Sequence, residues 1–159
     1  MTKIEKVKLG QTGLEVLKLG LGAAPFASAC YGEVSVKNCE TTLKRAIEEG
    51  VTYIDTAPWY GNGRISCKKH FFTDFLSLKG ESEKMLGKFL PTIDRSKFVI
   101  ATKVARYEKN PKKMFDFSHD RALRSVDESL ARLGLDFVDI IQVLVQKFPD
   151  SLDLYPDNL

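Results

Sequence analysis

Paired cysteines, long apolar runs and an excess of one charge are all missing from this 159-residue chain, and each absence removes a class of protein. The three cysteines, Cys30, Cys39 and Cys67, share no metal or redox spacing, and their odd number gives no disulfide framework, so a reducing compartment is expected. No stretch approaches the roughly 18 apolar residues of a membrane span, and the opening Met-Thr-Lys-Ile-Glu-Lys is too polar for a secretory signal. A cytoplasmic location with no membrane partner is the resulting expectation. Twenty-four Lys and Arg against 21 Asp and Glu leave a net charge of +3, too small and too evenly spread for a nucleic-acid-binding face. A glycine-rich phosphate loop is lacking too, since Gly20-Leu21-Gly22 does not continue into Gly-x-x-Gly before a helix. What is there, 43% hydrophobic and 28% charged residues, is the composition of a globular domain. A chain of this size can bury a core without staples, yet it falls short of the roughly 250 residues of a complete (β/α)₈ barrel.

Apolar residues alternate through Val7 and Leu9, Gly10-Gln11-Thr12-Gly13 supplies turn chemistry, and Leu14 and Val16 resume the alternation, which predicts an N-terminal β-hairpin. A short strand follows over 17–22. Ser35 can then cap a helix with Cys39, Leu43, Ala46 and Ile47 on its apolar face and Gly50 as its stop. Val51 to Asp55 reads as a strand and 56–63 as a loop. Met85, Leu86, Phe89 and Leu90 give helical spacing over 82–90, and Phe98 to Val104 reads as a strand. Residues 118–133 predict a helix buried through Ala122, Val126, Leu130 and Leu133 and stopped by Gly134, before a last strand over 137–145. Strands joined by helical crossovers pair in parallel, so the fold class is α/β. Two architectures fit the pattern equally: an open doubly wound sheet, or one half of a TIM barrel.

The strand starts are separated by roughly 32, 47 and 39 residues, against about 30 or more for a βαβ unit. The long middle interval contains 65–81, an irregular stretch with Lys68, Lys69, His70, Phe71, Phe72 and Phe75 that reads as an insertion. Cys67, His70 and Asp74 within it lack a matched second pair of metal ligands, so no metal site is expected. Lys109, Lys112 and Lys113 near Pro111 read as a solvated loop.

In either architecture functional residues lie beyond the carboxyl ends of the strands, which brings Asp55, Tyr60 and Lys103 to one rim. A free phenol is too weak an acid to protonate a carbonyl oxygen efficiently at neutral pH, and a neighbouring ammonium favours its ionised form. Lys103 would tune Tyr60 in this way, and Asp55 would hold Lys103 charged and oriented. Such a group suits carbonyl reduction when a nicotinamide supplies hydride.

These residues resemble a family, the aldo-keto reductases, and within it the branch of galactose-dehydrogenase-like sugar and aldehyde reductases. The likeness is carried by Lys8-Leu9-Gly10-Gln11-Thr12-Gly13-Leu14-Glu15-Val16 leading to Leu19-Gly20-Leu21-Gly22, by Ala46-Ile47-Glu48-Glu49-Gly50-Val51-Thr52-Tyr53-Ile54-Asp55-Thr56-Ala57-Pro58-Trp59-Tyr60-Gly61, and by Lys97-Phe98-Val99-Ile100-Ala101-Thr102-Lys103-Val104 with Ser125 to Ile140. The resemblance implies a parallel half of a TIM barrel with an N-terminal hairpin over 1–143, and a divergent, irregular tail over 144–159. It implies an NADP-dependent oxidoreductase acting on an aldehyde, ketone or sugar carbonyl. Tyr60 is then the general acid, Lys103 its partner, and Asp55 the carboxylate that holds the lysine and also faces the cofactor.

The family's catalytic histidine, after a stretch like Asp139-Ile140-Ile141-Gln142-Val143, falls here on Leu144, which can neither donate nor accept a hydrogen bond. His119, at a helix start read as opposite the strand end, and His70, in the apparent insertion, are not expected to replace it. The strands that grip the cofactor in the family have no counterpart after Val143. The chain is therefore expected to be a truncated, inactive form, with both irregular junctions arising from splicing or from the gene model. The alternative is a non-catalytic half-barrel that binds a partner or self-associates through its open sheet edges.

Overall fold

A computed structural model describes residues 4–27, 34–61, 80–108 and 110–144. The tail beyond Leu144, nearly all of the stretch 65–81, and Cys30, Cys67, His70 and Lys109 lie outside the described residues. Strands β1 (Lys6–Lys8) and β2 (Glu15–Leu17) form the expected antiparallel hairpin, with Val7 opposite Val16. Its turn places Gly10 and Gly13 at positive φ, a conformation that glycine adopts without steric cost. The strand expected over 17–22 is divided. Leu17 stays with the hairpin, and only Leu21–Gly22 (β3) joins the main sheet.

Alternating helices and strands follow: α1 (Val36–Glu48), β4 (Tyr53–Asp55), α2 (Glu81–Gly87), β5 (Val99–Val104), α3 (His119–Leu133) and β6 (Ile140–Val143). The Ser35 side chain accepts from Asn38 N at the start of α1, and Gly134 takes a left-handed conformation at the end of α3. Glu81, the last residue of the irregular stretch, is the first of α2. The helical spacing through Leu90 breaks at Gly87, and Leu90 instead opens a 3₁₀ turn with Pro91, whose missing N–H cannot continue an α-helical ladder.

The four-stranded sheet has the order β3-β4-β5-β6, and every pair in it is parallel. A doubly wound sheet reverses its strand order at a switch point, whereas this one winds in a single direction. Spatial order equal to chain order marks a segment of barrel wall, and this decides between the two architectures left open by periodicity.

Parallel register and the two-residue period of a strand assign the faces. Leu21, Ile54, Ile100 and Thr102 point outward to the helices. Gly22, Tyr53, Asp55, Ala101, Lys103 and Gln142 point inward. The core lies between the outer face and the helices, where Ile54 and Ile100 meet Cys39, Leu43, Leu86, Leu90, Phe98 and Leu133.

The buried residues of α3 are Ser125, Ser129 and Leu133, while Ala122, Val126 and Leu130 are only half-buried. Small side chains let this helix approach its neighbours closely. A Cβ on Gly87 would collide with the backbone oxygen of Arg132, so α2 and α3 touch backbone to backbone at their ends. Behind the sheet's amino end, Arg95 bonds Asp139 Oδ2 at 2.6 Å and the Phe98 carbonyl at 2.8 Å, with its guanidinium 4.0 Å from the centre of the Phe137 ring. The same Asp139 oxygen accepts the Ile100 N–H, which ties the beginning of β6 to that of β5. Phe137 and Val138, read as strand residues, precede β6.

Candidate active site

The inner face of the sheet gathers the three residues expected from the sequence. Asp55 closes β4, and Lys103 stands on the neighbouring β5 two residues beyond Ala101, the register partner of Asp55. The Lys103 ammonium reaches both carboxylate oxygens, at 2.6 and 2.7 Å, and donates to the Thr56 carbonyl at 3.1 Å. Tyr60 arrives from the loop after β4, where its N–H donates to the Ala57 carbonyl. Gly61, at φ +97°, then turns the chain away; a Cβ there would stand 2.7 Å from that of Glu81.

The phenol takes an orientation that spacing does not reveal. Its hydroxyl donates to Asp55 Oδ2 over 3.4 Å, and the Lys103 ammonium lies 5.0 Å from the centre of its ring, over the aromatic face. Cation, carboxylate and phenol thus form one cluster at the carboxyl ends of two adjacent strands. Side-chain exposures of 13% for Lys103 and 27% for Asp55 leave it open to a ligand.

Further down the inner face, Gln142 Nε2 donates to the Tyr53 hydroxyl at 3.1 Å. Burial, and then the charge of Asp55, push the Tyr53 phenol above its ordinary value. A cavity of about 620 Å³ lies between this face and the hairpin, bounded by Val7, Leu9 and Val16 on one side and Tyr53, Asp55 and Gln142 on the other. At the rim, Ala105 follows β5 at φ +86°, a left-handed conformation that costs a non-glycine residue about 1–2 kcal/mol. The next residue, Arg106, lays its guanidinium 4.9 Å from the centre of the Trp59 ring.

On the outer face of the same strand ends lies a polar network that sequence reasoning did not find. The Ser82 hydroxyl donates to the Ala23 carbonyl at 2.7 Å, so the Thr56 hydroxyl must be the donor in the 2.9 Å bond between Thr56 and Ser82. Thr102 donates to Glu83 Oε1 at 2.6 Å, and Arg132 Nε donates to Glu83 Oε2 at 2.7 Å. Glu83 has no exposed surface. The network's signal in the sequence is a polar pair in the first turn of α2 together with threonines that alternate outward beside Asp55 and Lys103.

Leu144 follows β6 with its N–H on the Val104 carbonyl, and its side chain brings no hydrogen-bonding group to the rim. His119 corrects one expectation. A helix that follows a parallel strand begins at that strand's carboxyl end, so the start of α3 is on the rim side of the sheet. The His119 ring is nonetheless 82% exposed and bonded to Asp120. Burial raises the Cys39 thiol above its usual range, which keeps it unreactive. Among the described residues no three or more His, Cys, Asp or Glu gather as metal ligands, and no helix is long and apolar enough to cross a membrane.

Residues 18–148 match the model of the aldo/keto reductase family. The chain is 42% identical over 143 residues to L-galactose dehydrogenase of Arabidopsis thaliana, a match covering 89% of this chain and 38% of that protein. It is 33% identical to pyridoxal 4-dehydrogenase of Microbacterium luteolum, covering 87% of this chain and 42% of the other. An aldo-keto reductase of Bacillus halodurans, solved in its holo form, superposes with a TM-score of 0.65 at 26% identity, covering 88% of this chain and 40% of that one. The chain thus spans about two fifths of the length of these relatives. With the family model matching most of its length, and its parallel strands wound in sequence behind an N-terminal hairpin, the chain belongs to the aldo/keto reductase family.

Proposed function

We propose that this chain carries the proton-transfer side of an NADP-dependent oxidoreductase site for an aldehyde, ketone or sugar carbonyl. The observation that carries the reading is the Asp55–Lys103–Tyr60 cluster on the inner rim of the sheet. Tyr60 is the proton donor to the carbonyl oxygen. Lys103 places a positive charge beside the phenol, where it stabilises the phenolate left after transfer. Asp55, gripping the ammonium through both oxygens, fixes that charge in place and keeps it from swinging into solvent.

A reduced nicotinamide, when bound, supplies the hydride. A phenol, an ammonium and a carboxylate converging on one open rim fit the reacting end of that cofactor, with Asp55 as the residue facing it. The inner-face strand residues fit its phosphates less well, since their one cation among the described residues, Lys103, is already committed to Asp55. Together with Leu144 in place of an imidazole, this supports a chain with little or no turnover alone.

Trp59, the chain's single tryptophan, adjoins Tyr60 and reports directly on the site. Titration of the folded chain with NADPH is expected to quench its emission saturably, and Tyr60→Phe should retain the quenching while abolishing any residual turnover. Emission indifferent to NADPH would overturn the cofactor reading.

A second reading, self-association through the open edges, is favoured by Ile141 and Val143, which are 49% and 60% exposed on the outer face of β6. Light scattering over a concentration series distinguishes it. Mass rising with concentration supports edge pairing, and a constant monomer mass excludes it.

A further inference from the structure

We propose that Ser82 and Glu83, in the first turn of α2, are positioning residues that hold the Asp55–Lys103 pair in register from the opposite face of the sheet. The proposal rests on the reading of that pair as the proton-transfer site and adds the means by which its geometry is kept.

The threonines that Ser82 and Glu83 grip are the immediate chain neighbours of the pair. Thr56 follows Asp55, and Thr102 precedes Lys103. Successive strand residues point to opposite faces, so a bond that fixes Thr102 outward also fixes where Lys103 leaves the backbone inward. Thr56 is constrained three times: its hydroxyl donates to Ser82, its N–H to the Ala101 carbonyl, and its own carbonyl accepts from Lys103. Ser82 extends the grip to β3 through the carbonyl of Ala23, whose N–H donates to the Asp55 carbonyl at 2.8 Å. One helical turn thereby ties together the ends of three strands.

The chemistry of the network suits positioning better than stabilisation. An apolar pair of similar volume would fill the same space at no loss, because the desolvation of a buried carboxylate offsets much of its attraction to a cation. Directed hydrogen bonds add restriction of the backbone to one placement. The site needs that restriction, since Lys103 reaches its partner on a flexible four-carbon stem and a partly exposed ion pair is loose by itself.

The test reads the lysine ammonium directly, by ¹⁵N NMR of the uniformly labelled chain. In the wild type the Lys103 ammonium, held by three acceptors, should exchange its protons with water several-fold more slowly than those of Lys18 and Lys44, which belong to exposed pairs. Thr102→Val removes the Glu83 bond, and Ser82→Ala removes the links to Thr56 and Ala23. Each should speed Lys103 exchange several-fold, while Thr102→Ser, which keeps a hydroxyl, should restore the slow rate. Cys39→Ala, in the core on α1, serves as a control for lost stability and should leave Lys103 unchanged.

The proposal fails if Lys103 is no slower than Lys18 and Lys44 in the wild type, a comparison that needs no variant to fold. It also fails if Thr102→Val and Ser82→Ala lower the melting temperature and leave Lys103 exchange unmoved, as for Cys39→Ala. NADPH binding is a separate reading: a Lys103 response without quenching of Trp59 would overturn the cofactor assignment and retain the positioning one.

Discussion

The outer faces of β5 and β6 meet along one ladder and have opposite fates. Thr102 pairs with Ile141 and Val104 with Val143, yet the β5 residues are 0% and 7% exposed and those of β6 are 49% and 60% exposed. Residue type does not explain this, since the fully buried member of the first pair is the threonine. Coverage does. α3 packs across β5 and α2 reaches it through Glu83 on Thr102, whereas no described element lies over the outside of β6. In a wall of this kind the crossover helix converts an apolar strand residue into core, and burial stops where the helices stop.

The largest effect expected on the covered side is at Glu83. Glu83→Ala leaves Arg132 with only the half-exposed Glu128 carboxylate at 3.9 Å and Thr102 without its acceptor, and should cost about 3–5 kcal/mol by urea unfolding, the range for breaking a buried ion pair. A loss below about 1 kcal/mol, the ceiling for exposed pairs, would place this network with surface bridges.

The comparison itself is tested by two truncations on the same face. Ile100→Ala, in the core, should cost about 2–5 kcal/mol. Ile141→Ala should change stability by no more than about 0.5 kcal/mol, as at an open surface site. Equal losses would mean that something covers β6 in solution.

The inner face adds a pH dependence. Burial first, and then Asp55, raise the Tyr53 phenol, so the folded state favours its neutral form. That contribution is complete below the unfolded phenol value of about 10 and is lost as pH climbs from there through the folded value. Urea midpoints between pH 8 and 11 should fall more steeply for the wild type than for Tyr53→Phe; parallel curves would count against it. The smallest effect on stability is expected at Val143→Lys, where an already exposed side chain gains a charge. Its unfolding midpoint should match the wild type, while any concentration-dependent mass in light scattering falls towards the monomer.

The sequence was most legible where structure is made locally. Ser35 at a helix start, Gly50 and Gly134 at helix ends and the glycine turn of the hairpin all act within a few residues, and each stands where its chemistry put it. Asp55 and Lys103 are legible because strand ends collect at one rim, and Tyr60 because it stands in the loop that follows Asp55, which takes no detailed geometry. Strand order, which separates barrel wall from doubly wound sheet, depends on contacts tens of residues apart and leaves no trace in periodicity. Apolar periodicity also missed the serine stripe of α3, because Ser125 and Ser129 are buried for being small. The same bias hid Ser82 and Glu83, polar residues buried because each finds partners. The Tyr60 hydroxyl bond to Asp55 depends on a loop conformation that spacing cannot supply.

Strand order equal to chain order also bears on how the molecule comes to exist. Every strand of the main sheet docks beside the one made just before it, so no pairing has to wait for a distant segment of chain. Such a wall can accrete as it is synthesised, one βα unit upon the last, since each strand pairs with the unit made before it and the closing loops stay short. The site is then assembled by order of arrival. Asp55 comes first and waits at the end of β4, α2 follows with its serine and glutamate, and Lys103 enters last, between a carboxylate and a brace already in place.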